Sequence, residues 1–449
     1  MSIVAWPVRL VAVLGVVILA AALPAAEAGA RPQPKHCALS ASPQPQTATA
    51  DEVGMDPQLV AAAVAFAASR NRVSVQVFRH NCRIAVGPRH DQAGNVAWNV
   101  FSSAKSVMAM ITGLAYGDGK LGLDDPIGKH LPAGLGDAAH RAVTIRQLLT
   151  QTSGLLTSVP EEIVTGIFPI DPNTGVQALG TRFVAAPGTV FAYSQRAVDL
   201  LSFVVQAAVG EDLQAYAQRK MFGPMGIERS HWFWVRDRAG TTHGYSYLYI
   251  PPNDFVKLGL LMANDGLWNG RQILPADFVA QAQAPSPVNR CYGFLFWLAG
   301  PGCDEPMGGT PPGTYAMTGT LLQNNFVVPE LDLVVSWTGL AGNVSRYGPI
   351  GIAQHSAELT HTFFRMLGRS FRDVQVPDPG PYVEPPLNLD VAVWPEILLG
   401  TLGIGPGAYP GCSVLECLGK IPAPVYYDWP PGCVLFACLG DDPRTPGIR

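Results

Sequence analysis

The chain has 449 residues, of which 48% are apolar and 14% charged, and its net charge is −4. That composition supports a large core and excludes a disordered chain. The weak charge, without a basic cluster, excludes a nucleic-acid binder and a polybasic membrane surface, and the length implies two or three compact units.

The first segment, "MSIVAWPVRLVAVLGVVILAAALPAAEAGA", has Arg9 in a short n-region and an apolar run from Leu10 to Leu23. Pro24 breaks the run, and Ala26-Glu27-Ala28 fits a small-x-small cleavage site. This predicts a signal peptide over 1–28 and a secreted or periplasmic protein. An uncleaved anchor is the alternative, for which the run is short; membrane contact would then be through this segment alone.

Residues 29–52 read as the leader of the mature chain. "DPQLVAAAVAFAASR" (56–70) has helical spacing behind a helix-starting Asp-Pro. "VSVQVFRH" (73–80) alternates and is β-branched, so it predicts a strand, with "CRIAVG" as its hairpin partner. From about 102 to 290 the signals are mostly helical. Strands return at "TYAMTG" (314–319), "LLQNNFVV" (321–328) and "LDLVVSWTG" (331–339), and "IGIAQHSAELTHTFFRMLG" (350–368) predicts a closing helix. The order predicts an α+β protein: an antiparallel sheet built from both ends of the chain and flanked by terminal helices. The helical block, about 102–290, is inserted as a subdomain of a domain over 53–371.

Residues 372–449 are rich in proline and carry a short repeat, "PGCSVLECLG" (410–419) and "PGCVLFACLG" (431–440). They read as a C-terminal extension stapled by disulfides. The eight cysteines of an exported chain favour disulfides. Proximity suggests Cys37–Cys82 and Cys291–Cys303, with connectivity open. A zinc site is the alternative for Cys412, Cys417, Cys433 and Cys438, although their spacing is loose for one.

The candidate chemistry starts at "FSSAKSVMAM", residues 101–110. Ser102 and Lys105 are one helical turn apart on one face, and apolar neighbours predict a buried helix. A buried lysine has a lowered pKa and suits a proton partner for a serine nucleophile. A helix-capping serine with a solvated lysine is the plainer alternative. Tyr193, in "FAYSQRAVDLL", is a loop tyrosine able to act as a base, or else a core tyrosine. Thr318-Gly319 ends a strand, where glycine lets a substrate approach, and the Thr320 N–H is left to donate. "GDGKLG" (117–122) matches a dinucleotide fingerprint but follows a helix rather than a strand, which argues against that role.

Taken together, "SSAKS", "KLGLDDPIGKHLP", "VTIRQLLTQTSGL", "PGTVFAYSQRAVDLLSFVVQAAVG", "MFGPMGI" and "VVPELDLVVSW" resemble the serine β-lactamase-like hydrolases over roughly residues 55–370. That group includes class C β-lactamases, D,D-peptidases, family VIII esterases and 6-aminohexanoate-dimer hydrolases. The resemblance implies an α/β/α sandwich with a helical subdomain. It implies Ser102 as acyl-accepting nucleophile, Lys105 as its proton partner and Tyr193 as base. The Ser102 and Thr320 N–H groups would form the oxyanion hole. Gln195, Met317, Thr318 and Gly319 would stand at substrate-binding positions.

Two of these depart from the pattern: Gln195 replaces an asparagine that positions a substrate amide, and Met317 replaces a cation that binds a substrate carboxylate. Arg196 is the candidate to compensate, with its direction open. The expectation is an exported serine hydrolase of small esters or amides, without metal, organic cofactor or nucleic acid. A penicillin-recognising enzyme and a catalytically silent envelope binding protein are the alternatives.

Overall fold

A computed structural model of the chain describes residues 33–438, except 159, 163, 165–167, 389–393, 430–431 and 434. The expected signal segment lies outside the described residues.

The strands are β1 (Arg72–Arg79), β2 (Cys82–Val86), β3 (Trp98–Asn99), β4 (Phe233–Trp234), β5 (Leu248–Ile250), β6 (Leu267–Trp268), β7 (Arg271–Gln272), β8 (Trp297–Leu298), β9 (Tyr315–Gly319), β10 (Gln323–Val328) and β11 (Leu333–Gly339). The helices that place the site are α1 (Pro57–Ser69), α2 (Ser103–Gly117), α3 (Gln195–Val209), α4 (Pro252–Ala263) and α5 (Ala357–Gly368). Six strands form the main sheet in the order β2-β1-β11-β10-β9-β8. Each neighbouring pair is antiparallel. Strands from the two ends of the chain meet where β1 pairs with β11, from Arg72 opposite Gly339 to Arg79 opposite Leu333.

The period of two in β1 sorts its side chains between two cores. Val75 and Val77 join the cluster with Val60, Leu359 and Phe363 of α1 and α5. Phe78 belongs to the other cluster, with Phe255 and Leu258 of α4. Gln76 donates to the Pro252 carbonyl at the start of α4, 3.0 Å away. Helices therefore cover both faces, and β1, β10 and β11 are buried almost throughout. This is the beta-lactamase/transpeptidase-like fold. Asp56 starts α1 by accepting from the Gln58 and Leu59 N–H groups, with Pro57 at the first turn.

The block 102–290 is less purely helical than its sequence suggests. It contains β4 and β5, which extend a three-stranded sheet from β3, and the β6–β7 hairpin. These strands hold two or three residues each, too few to establish a period. Nor does all of the block stand apart, since Asn325 of β10 bonds the Phe255 carbonyl of α4 at 2.8 Å. The predicted closing helix is broken. Asn343 bonds the His355 carbonyl at 3.0 Å and accepts from the Leu359 N–H at 3.1 Å, which ends one helix at Gln354 and starts α5.

The cysteines pair as Cys37–Cys82, Cys291–Cys303, Cys412–Cys417 and Cys433–Cys438, so the last four are not a zinc site. Four disulfides fit an oxidising, extracellular environment. No described helix is long and apolar enough to cross a membrane. The extension past residue 371 packs on the body. Asp373 pairs with Arg79 and Glu396 with Arg182.

The β9–β10 turn places two non-glycine residues, Leu321 and Leu322, in the left-handed region at φ 62° each. Buried Arg72 holds both of their carbonyls, at 3.0 and 2.8 Å. Burial pulls its guanidinium down to about 9. Arg72→Leu leaves two strained carbonyls without that donor. The expected loss is about 1–3 kcal/mol of stability, read by urea denaturation.

Candidate active site

Helix α2 runs between the main sheet and the helical region, and its residues from Ser103 to Ala115 are buried. Ser102 is its N-cap. Phe101, one residue earlier, adopts a left-handed φ of 46°. The Phe101 N–H is held by the Asn99 side-chain oxygen at 2.9 Å, which fixes the turn that presents Ser102.

Lys105 is 1% exposed. Its Nζ lies 3.1 Å from Ser102 Oγ, 2.5 Å from Gln195 Oε1 and 3.0 Å from the Tyr245 carbonyl. Two of these partners are carbonyl oxygens, which only accept. A neutral amine therefore spends both N–H groups on Gln195 and Tyr245, and its lone pair faces the Ser102 hydroxyl. Burial pulls the Lys105 pKa down to about 7, against the opposing charges of Glu162 and Asp199.

Tyr193 sits on the loop before α3. The Gln151 side chain clamps that loop, accepting from the Ser194 N–H at 2.9 Å and donating to the Ser194 carbonyl at 3.1 Å. The phenol is close enough to Ser102 to be influenced by its hydroxyl, and the ring centroid lies 4.7 Å from Lys105 Nζ. Burial raises the phenol's pKa further above its ordinary value, outweighing the opposing influence of Ser102. Burial thus moves Lys105 toward neutrality, as the sequence led one to expect of a buried lysine, and moves the Tyr193 phenol away from it.

Strand β9 passes directly beside this turn. A Cβ on Gly319 would come 2.1 Å from the Val100 carbonyl and 3.3 Å from Phe101 Cβ. Glycine is required there by the close approach of two backbones. Thr320, next along, is exposed. Thr318 and Gly319 are half-buried.

The remaining expected positions turn inward. Gln195 is buried, with its side-chain oxygen on Lys105. Met317 is 1% exposed, packed in the core on the α2 side of the sheet. Arg196 does not compensate for Met317. It is buried against Asp171 at 3.0 Å and reaches the Ile397 carbonyl of the extension.

Sequence reasoning missed the second layer. Glu162 is buried behind Gln195; it accepts from the Gln195 N–H at 2.5 Å, Thr157 Oγ1 at 3.0 Å and Ser194 Oγ at 3.2 Å. Burial raises its pKa, opposed by the Gln195 hydrogen bond. Beneath it lie Asp199 and His243, 2.9 Å apart. Isolated acids in "SVPEEIVTG" and "RAVDLLSF" carry no spacing signal, and the Tyr245 carbonyl carries none at all. Among the described residues, one group has metal-ligand character: His36, His80 and Asp332, with ligand atoms within 4.8 Å of one another. His80 and Asp332 lie at the end of the β1–β11 pair opposite Arg72 and Gly339, away from Ser102.

A family model described as Beta-lactamase matches residues 55–339. The chain belongs to the beta-lactamase family. A curated relative, an uncharacterized protein of Alkalihalophilus pseudofirmus, is 24% identical over 278 residues, covering 55% of this chain and 76% of its own. Two solved structures share the fold. EstCE1, a hydrolase with promiscuous acyltransferase activity, is 18% identical with a TM-score of 0.52, covering 69% of this chain and 98% of its own. A candidate 6-aminohexanoate-dimer hydrolase from Bacillus anthracis is 14% identical with a TM-score of 0.53, covering 66% and 78%. Membership in the beta-lactamase family is consistent with serine hydrolase activity.

Gly319→Ala forces β9 away from the Val100–Phe101 turn. A loss of about 1–3 kcal/mol is expected in denaturant melts.

Proposed function

We propose that this beta-lactamase family member is an exported serine hydrolase that acts through an acyl-Ser102 intermediate on small carboxylic esters or amides. The observation that carries the reading is the Lys105 amine, buried, pulled down to about 7 and 3.1 Å from Ser102 Oγ. Neutral Lys105 takes the Ser102 proton as Oγ attacks the substrate carbonyl carbon. The N–H groups of Ser102 and Thr320 receive the developing oxyanion. The proton then passes from Lys105, through the Tyr193 phenol, to the departing alcohol or amine. Water attacks the acyl-serine by the reverse relay and releases the acid.

The proposed substrate class is supported by the charge state of two expected substrate positions. Met317 is uncharged and Arg196 is committed to Asp171, so neither supplies a cation for a substrate carboxylate. That supports neutral esters and small amides over penicillins. Gln195, with its oxygen on Lys105, serves the amine more directly than a substrate amide. The four disulfides and the apolar run after Arg9 support export.

The test is intact mass after incubation with a fluorophosphonate and, separately, with a penicillin. One fluorophosphonate adduct is expected, absent in Ser102→Ala. No adduct on folded protein would sink the hydrolase reading, and a stable penicillin adduct would move the substrate class toward cell-wall chemistry. The pH profile makes a second check. The ammonium form of Lys105 cannot accept a proton, so kcat/KM for a nitrophenyl ester should rise as pH increases through about 7. A flat profile from pH 5 to 9 would contradict the assignment.

A further inference from the structure

The family match ends at residue 339, yet the C-terminal extension returns to the nucleophile. The link is Asn99, 0% exposed, three residues before Ser102. Its side-chain oxygen accepts from the Phe101 N–H at 2.9 Å, while its Nδ2 donates to the Leu435 carbonyl at 2.8 Å. Its own backbone N–H donates to the Phe436 carbonyl, also at 2.9 Å. One residue thus ties the turn that presents Ser102 to the loop closed by Cys433–Cys438. Flanking contacts fix the register: the Cys438 N–H bonds the Ala97 carbonyl at 3.0 Å, and Tyr249 OH bonds the Leu435 carbonyl at 3.3 Å.

The loop brings an apolar side chain with it. The Phe436 ring is 6.3 Å from that of Phe101, and 41% of the residue stays exposed. Phe436 is left open to solvent against Phe101, the residue just before the nucleophile, and core packing does not account for it, since its backbone is already anchored by Asn99. The repeat supplies an internal comparison. Leu415 occupies the same place in the Cys412–Cys417 loop, and there it is 78% exposed on a loop whose Val414 carbonyl binds Arg238 instead.

We propose that Phe436 of the extension forms, with Phe101, an apolar wall of the Ser102 site that receives an alkyl or aromatic group of the substrate. This rests on the hydrolase reading above and deepens it: the substrate is an ester or amide with an apolar substituent longer than acetyl. Apolar pocket contacts discriminate between substrates by about tenfold or more, and act on the longer chain only.

The experiment compares p-nitrophenyl acetate with p-nitrophenyl hexanoate on the full chain, with fluorophosphonate labelling run in parallel. In Phe436→Ala the hexanoate-to-acetate ratio of kcat/KM should fall about tenfold, with Ser102 still labelled. Phe436→Leu, which keeps an apolar side chain, should hold the ratio nearer wild type and serves if the alanine variant folds poorly. Leu415→Ala should leave the ratio unchanged. A ratio unmoved in both Phe436 variants, or equal losses on both esters, with labelling intact, overturns the wall. Wild-type protein that neither labels nor hydrolyses either ester overturns the hydrolase reading and the wall with it.

Discussion

The buried amine of Lys105 is the constraint on which the site depends. Moving a lysine from 10.5 to about 7 corresponds to about 5 kcal/mol between its two protonation states. The surrounding structure has to tolerate that burial and still leave the amine polar partners. It does so with two fixed acceptors, Gln195 Oε1 and the Tyr245 carbonyl, which leave one direction for the lone pair. That direction is Ser102. The elements that supply these partners follow from the same need. Helix α3 brings Gln195, the turn before β5 brings Tyr245, and the charges of Glu162 and Asp199 oppose the fall in pKa.

The carboxylates beneath the site form a second buried charge system. Asp171 and Arg196 pair, Asp199 and His243 pair, and burial pushes Asp237 up to about 7. Buried pairs of this kind contribute little net stability but fix geometry, because losing one partner strands the other. Here they anchor α3, whose first turn carries the Gln195 side chain that binds Lys105. The extension takes part, since Arg196 also reaches the Ile397 carbonyl. The Ser102 site, the core beneath it and the C-terminal extension are therefore one connected structure.

Much of this was legible in the sequence, for identifiable reasons. Ser102 and Lys105 share a helix, so local spacing alone places them together. The main-sheet strands were readable because β1, β9, β10 and β11 are long enough to show alternation or a continuous apolar run. Tyr193 required a resemblance across several motifs, because 88 residues separate it from Lys105 and no local rule spans that gap. The inward turn of Arg196, the burial of Met317 and the Asn99 link were not legible. Each depends on which side of an element faces a partner distant in sequence, and Asn99 is a single polar residue in an apolar run. The lowered pKa of Lys105 was legible from the apolar neighbours that bury its helix, whereas the burial of the Tyr193 phenol was not.

The central claim is that Lys105 titrates near pH 7, so that a neutral amine is well populated in the resting protein. Its most direct test is an NMR titration of lysine Cε–Hε resonances in isotopically labelled protein, with the Lys105 signal assigned by Lys105→Arg. A midpoint near 7 is the predicted result. A midpoint near 10.5, the value of a solvated lysine, would contradict the account and leave Ser102 without its proposed base.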